Sequence, residues 1–580
     1  MFRDFWMNSK RSAFLSILFS LTIAANANPT SRIDPVATVP KDLWDELNTT
    51  VQGRLQSSVP FSKPCFSIFE GRSVQPDVAA CSGIQQNYTN AVTRVNDFSA
   101  YMIPQWETCQ SAGEGCLLDS NDPTNPVAYL NVDCRRGNVA TYYIEVQSIN
   151  DVQAAFEFSK RTGVRLSVKN HGHDYKGRSS GKDTLSLWLR SLDSISYDNA
   201  FAPSSCPSEI KYDSITFGGG TLLQDVYDFA DLHNVTFIGG YHQTIGSGWF
   251  LGGGHSILSP NYGLGVDRVV QIKVVTPDGR LMIANECQNA DLFWALRGGG
   301  GNVFGVVIES THRVEPQLNL QAAIIRFPGN ISNLADWYNL TVRNSLRWGQ
   351  NGWGGHIAGP TLIHVTPKLN TNEAKLDMQE ATDFAIAHGG SGLIDTLPSW
   401  NSFFSKYVLS AQAVVGPEVM LGTRLISTSL FETETGRETL TQTIKDVLPF
   451  ASPYIVVGTP FLFNYTEGST SVTPAWRNSL WHLSVKGQFN FNSTLEEKKA
   501  QYIEVSRHIQ AFRDITSGSG AYFNEGDVYE PNHEESFWGS TNYERLLVVK
   551  RKYDPDNLLT CWQCVGWTGP EDPLYQCYIK

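Results

Sequence analysis

The sequence predicts an α+β protein built in two lobes. At 580 residues and 41% hydrophobic, the chain is long enough to fill more than one core, so two lobes of roughly 200 to 300 residues are expected. Strand-like and helix-like segments alternate from Tyr142 onward. Glycine, 49 residues in all, is concentrated in the central third, beside the strand-like runs.

Residues 1–27 read as a secretory leader. Arg3, Lys10 and Arg11 form a basic start, Ala13 to Ala24 a short apolar core, and Ala25-Asn26-Ala27 a small-residue cleavage site. No later run approaches the roughly 18 apolar residues of a membrane span, so no membrane partner is expected after leader removal. Residues 28–125 mix Cys, Pro and Ser without clear period and read as an extension wrapping the body. Seven Asn-x-Ser/Thr sequons, at Asn48, Asn87, Asn234, Asn330, Asn339, Asn464 and Asn492, fit a secreted or secretory-lumen protein. So do ten cysteines, an even set that favours disulfides over metal or free thiols; Cys561-x-x-Cys564 could also be a redox dithiol or half a zinc site. The formal charge of −12 argues against a nucleic-acid partner.

Within residues 126–316, Tyr142 to Val146 reads as a strand, Ile149 to Thr162 as a helix opened by Asn150 and Asp151, and Val164 to Val168 as a strand. The helix carries a stripe of Val152, Ala155, Phe156 and Phe158 that should face a sheet. Val274 to Arg280 reads strand, turn, strand. Residues 317–510 mix strands (Ala322 to Phe327, Tyr454 to Thr459) with amphipathic helices such as Thr371 to Ala387. The tail, residues 511–580, is expected to return to the first lobe.

The most informative segment is Lys169-Asn170-His171-Gly172-His173-Asp174-Tyr175-Lys176-Gly177, which follows a strand. Glycine there lets the backbone approach a ligand closely, with two imidazoles at its edge. Behind it come glycine clusters at Gly218 to Gly220, Gly252 to Gly254 and Gly298 to Gly301. Their amides are expected to wrap an anion such as a pyrophosphate. Arg297 is either a further phosphate contact or a surface partner. His171, His173, His242 and His255 could form a metal site, but no carboxylate or Cys completes a familiar set in sequence, and none is expected.

These motifs resemble the flavoprotein oxidases of the vanillyl-alcohol-oxidase type, berberine-bridge-enzyme-like branch. The resemblance spans Val127 to Pro316 and resumes at Tyr522-Phe523-Asn524-Glu525 and through Lys552 to Leu559; the ending Cys561 to Trp567 is similar to fungal isoamyl-alcohol-oxidase-like members. It implies a PCMH-type FAD-binding domain over 126–316 and an α/β substrate-binding lobe over 317–510. The family pattern Arg-Ser-Gly-Gly-His-x-Tyr-x-Gly places the histidine covalently bonded to the flavin at His173, with Gly172, Tyr175 and Gly177 matching and His171 an unexpected second imidazole. It further implies that His242, Thr244, Gly246, Gly248, Gly252, Gly253, Gly254 and Val307 contact FAD.

Two departures matter. Many relatives bind FAD a second time through Cys-Pro-Thr-Val. Here that stretch reads His242-Gln243-Thr244-Ile245, with no cysteine between Cys206 and Cys287, so a single histidyl link is expected. Relatives that oxidise sugars use the last residue of Tyr-x-Asn-Tyr as base; here Tyr522 and Asn524 stand with Glu525 in that place. A Glu in a closed, partly apolar site is expected to have a raised pKa and to act as base. Ile245 replaces a residue that is Val where oxygen reacts and Leu where it is excluded, so oxygen and another acceptor both stay open. The resemblance implies a secreted FAD-dependent oxidoreductase acting on a small alcohol or secondary metabolite, with peroxide formed where molecular oxygen is the acceptor. A carbohydrate oxidase and a flavin carrier with little turnover are the alternatives.

Overall fold

In the computed structural model, residues 35–580 are described; the expected leader, residues 1–27, lies outside them. The helix Ile149–Thr162 forms as its pattern requires, but its first turn is closed by Ser148, whose N–H and hydroxyl donate to Asp151 Oδ2 at 2.9 and 3.0 Å. That reciprocal cap satisfies amides with no partner inside the helix. Gly163, at φ +75°, ends it. Val152, Ala155, Phe156 and Phe158 are all buried, against the sheet Leu55–Ser57, Tyr142–Glu145, Leu185–Trp188, Leu166–Lys169. The last three strands run parallel, and Leu55–Ser57 is antiparallel to Tyr142–Glu145.

The N-terminal segment is therefore more than a wrapping. It supplies that edge strand, and its Arg54 bonds Asp151 at 2.6 Å. Three disulfides fix it, Cys65–Cys81, Cys116–Cys134 and, to the far end of the chain, Cys109–Cys577. Cys206–Cys287 and Cys561–Cys564 complete the pairing, and no free cysteine remains.

A second, antiparallel sheet has the order Leu281–Ala284, Val269–Val275, Val306–Arg313, Tyr212–Gly218, Ile195–Phe201. Its hairpin turns at Gly279 (φ +85°), as the sequence predicts.

A third sheet, seven-stranded and antiparallel, has the order Ser391–Leu397, Leu320–Arg326, Thr361–Thr366, Gly354–Ala358, Tyr454–Val457, Ser479–Phe489, Glu418–Ser427. The helix Leu495–Asp514 packs on its last two strands. The expected helix Thr371 to Ala387 is two, Thr371–Asp377 and Gln379–Ala387. The Asp377 carbonyl accepts from Arg347 Nη1 and Trp348 Nε1 at 3.1 and 3.2 Å, which draws it out of the helical ladder. The C-terminal helix Ser540–Tyr553 packs on Ala290–Leu296, joined by Lys552 and Tyr553 to Asp291. Among the described residues no helix is long and apolar enough to cross a membrane.

Candidate active site

The buried strand Leu166–Lys169 ends at the wall of a cavity of about 730 Å³, within the usual range of ligand pockets, roughly 300–1,000 Å³. Lys169 anchors this end. Its ammonium donates to the carbonyls of Asp97, Phe98 and Ala100 at 3.1, 2.5 and 2.6 Å, and burial pushes its pKa down to about 7. The loop that follows turns at Gly172 (φ +86°), where a Cβ would meet Ile245 Cα at 3.2 Å.

The two imidazoles differ. His171 donates Nδ1–H to the Thr244 carbonyl at 2.6 Å, and its ring is so close to Gly246 that a Cβ there would lie 2.3 Å from Cε1. His173 has no hydrogen-bond partner on either ring nitrogen although both are buried. It lies between Tyr175, stacked at 5.5 Å, and His242, edge-on at 4.4 Å. Burial lowers its pKa to about 4, so the ring is neutral near pH 7. His242 is lower still, at about 2, from burial and from His173 beside it. An unpartnered buried imidazole costs free energy unless something uses it.

The polar end of the cavity is made by the tail. Tyr522 OH donates to the Trp249 carbonyl at 3.2 Å and accepts Gly254 N–H at 3.3 Å. Asn524 Nδ2 donates to Tyr522 OH at 2.7 Å and to the Gly248 carbonyl at 3.1 Å. The two residues tie Glu525 to the loop around the glycines. Glu525 Oε1 accepts from His255 Nε2 at 3.1 Å, and Oε2 is 3.8 Å from His482 Nδ1.

The expected rise in the Glu525 pKa is not what this geometry gives. Burial raises it, but the His255 hydrogen bond and, in acid where the rings carry charge, His255 with His482 and His173 beyond outweigh burial and hold the carboxyl at about 2. Glu525 is a carboxylate throughout the neutral range.

His171, Gly172, His173, Tyr175, His242, Gly248, Val307, Tyr522, Asn524 and Glu525 all line the cavity. Six other expected flavin contacts stand behind its wall. A Cβ at Gly177 would lie 2.2 Å from the Trp106 ring, and one at Gly252 2.4 Å from Asn524. Gly253 and Gly254 are pressed against Tyr522 and against Trp249 with Gly265, Gly246 against His171, and Thr244 holds His171 and His242.

The glycine clusters are corrected in part, with Gly301 the member that reaches the cavity wall. The amides of Gly218, Gly219 and Gly220 donate to Ser194, Ile308 and Leu192, and those of Gly299 and Gly300 to Ala295 and Leu251. These amides are already satisfied, and their glycines permit close packing of backbone on backbone. Arg297 is buried with Nη2 on the Ser469 carbonyl at 2.7 Å, so it is neither a phosphate contact nor a surface group.

Sequence reasoning missed the far wall. Tyr241, His356, Tyr454, His482 and Lys486 face the cavity or its polar end. The period-2 alternation of Ser479–Phe489 places His482, Ser484 and Lys486 on one face, a signal that could have found two of these five.

The residues present fit a flavin. The cavity is large, its lining is mostly apolar, and His173 on its wall is a buried imidazole with no hydrogen-bond partner. Comparisons with known proteins agree on the class. Residues 140–285 match the FAD binding domain family and residues 521–565 the berberine and berberine-like family. The chain is 42% identical to the FAD-linked oxidoreductase ffsJ of Aspergillus flavipes over 91% of this chain and 92% of that one. It is 39% identical to the FAD-linked oxidoreductase OXR2 of Pyricularia oryzae, over 92% and 93%. The crystal structure of the VAO-type flavoprotein MtVAO615 from Myceliophthora thermophila C1 superposes with a TM-score of 0.78 at 26% identity, over 91% and 96%. These relationships define an oxidoreductase that works with FAD. The chain belongs to the FAD-linked oxidoreductases of the vanillyl-alcohol-oxidase, berberine-like family.

Proposed function

We propose that this is a secreted oxidase that takes a hydride from the C–H of an alcohol or secondary metabolite, with FAD held through His173 alone and molecular oxygen as the final acceptor. The observation that carries the reading is the His173 ring, neutral, buried and unpartnered at the cavity wall. A neutral imidazole with a free lone pair is the nucleophile such a bond needs. His171 is fixed by Thr244 and packed against Gly246, which favours His173 over it. No cysteine lies between Cys206 and Cys287 to make a second link.

FAD, when bound, supplies the hydride acceptor. Tyr175 and His242 flank the ring that would carry it, and Val307 and Ile245 give apolar wall. Glu525 supplies negative charge at the polar end of the cavity, and Tyr522 with Asn524 fixes its place. The mostly apolar lining favours a metabolite over a sugar. Five disulfides and seven sequons support passage through the secretory pathway.

The test is to record the visible spectrum of the purified protein and to screen alcohols, aromatic metabolites and sugars for peroxide release. Peroxide with an alcohol or metabolite is expected. Turnover confined to sugars, or flavin reduction that air does not reverse, contradicts the reading.

A further inference from the structure

Tyr241 is half-buried on the cavity wall. Its hydroxyl bonds His255 Nδ1, and His255 Nε2 lies 3.1 Å from Glu525 Oε1. The ring of Tyr241 is held edge-on at 4.2 Å by His356, whose Nδ1 bonds Tyr454 OH at 2.7 Å. Trp476 and Tyr522 pack on the His255 ring at 6.0 and 4.9 Å. Nothing in the family pattern or in the sequence singles Tyr241 out.

Chemistry fixes the protons in this chain of bonds. An ionised carboxylate only accepts, so in a neutral His255 the proton sits on Nε2. Nδ1 is then bare and accepts, and the bond from Tyr241 runs O–H to Nδ1. Hydroxyl, imidazole and carboxylate in this order share the logic of a hydrolase triad: the carboxylate fixes the tautomer and balances the imidazolium that forms. In this chain of bonds Glu525 stands behind both Tyr241 and His255, with Oε1 already committed to His255.

We propose that Tyr241, His255 and Glu525 form a proton relay in which the Tyr241 oxygen takes the hydroxyl proton of an alcohol substrate while its own proton passes to His255 Nδ1. The proposal rests on the alcohol-oxidising reading above. The substrate loses that proton and, from the adjacent carbon, a hydride to FAD, the acceptor of this enzyme class, and leaves as a carbonyl. Tyr241 ends neutral, since one proton arrives as another departs. His255 ends as an imidazolium beside the unchanged Glu525 carboxylate. Tyr241 is thus the catalytic group; His255 and Glu525 act through it. The rival use of the same atoms is a divalent cation, because one ligand atom each from His255, His482 and Glu525 lie within 4.8 Å of one another and both His482 ring nitrogens lack a hydrogen bond.

The experiment is nitrogen NMR of the flavin-loaded protein labelled with ¹⁵N-histidine near neutral pH, with elemental analysis of the same sample. His255→Asn identifies the His255 signals. The relay requires a neutral His255 ring protonated at Nε2, with that proton shifted downfield by the carboxylate. Glu525→Gln should move it upfield, and Tyr241→Phe should shift Nδ1 while flavin content stays as in the wild type. A ring protonated at Nδ1 or at both nitrogens overturns the proposal, as does one equivalent of a divalent metal lost in Glu525→Gln. With any alcohol that reduces the flavin without oxygen, Tyr241→Phe should slow reduction roughly 100-fold to 10,000-fold and abolish its solvent deuterium effect. Reduction within about threefold of the wild-type rate refutes the relay while leaving the function intact. If no alcohol reduces the flavin, the functional reading fails, and the NMR result still decides the relay.

Discussion

Replacing Glu525 with Gln should change how stability depends on acidity. The Glu525 carboxyl is held at about 2 against an ordinary 4.5, so its ionised form is favoured in the folded state. A carboxyl with a depressed folded pKa contributes stability that is fully present above its unfolded value and is lost as pH falls through the folded one. The full difference corresponds to about 3 kcal/mol, of which roughly 1.4 kcal/mol is gone by about pH 3.5. The side chain keeps 26% of its surface exposed, and solvent screening reduces the latter figure toward about 1 kcal/mol. Carboxyl ¹³C NMR of the wild type, with Glu525→Gln identifying the signal, separates this titration from those of His173, His356 and His482, whose charged forms Glu525 favours in turn. The Glu525 signal should keep its carboxylate position at about pH 3.5 and move only as pH approaches about 2. A signal that titrates at or above 4.5 would refute the claim that His255 holds Glu525 ionised.

Other expectations follow from packing and processing. Gly177→Ala places a Cβ 2.2 Å from the Trp106 ring at φ +69° and should cost about 2–4 kcal/mol in equilibrium unfolding. Gly83→Ala, in the helix Val78–Asn87 with nothing within 4 Å of the new methyl, should gain up to about 1 kcal/mol by the same measurement. The mature N-terminus should begin near Asn28 by peptide sequencing, and glycosidase should lower the apparent mass. Reduction of the intact protein should release five disulfides' worth of thiol, ten groups by titration.

Much of the first lobe was legible because its signals are local. The stripe on Ile149–Thr162 needs only helical periodicity to be read, and the turn after Val275 needs only Asp278 and Gly279. The strand ending at Lys169 with two imidazoles behind it also announces itself. What the sequence hid is what only tertiary contact creates. A glycine run looks the same whether its amides meet a phosphate or the Ser194, Ile308 and Leu192 carbonyls. Glu525 looks like a buried acid until His255, 270 residues away, is placed against it, and the sign of its pKa shift reverses. His356 and Tyr454 are likewise brought together only by the pairing of Gly354–Ala358 with Tyr454–Val457.

The central claim, FAD carried by His173 alone, is tested most directly by mass spectrometry of proteolytic peptides from acid-denatured protein. The account predicts one flavin-bearing peptide, with fragmentation placing the flavin on His173, and free flavin in the supernatant of His173→Ala. Flavin released from the denatured wild type, or found on His171, would contradict it.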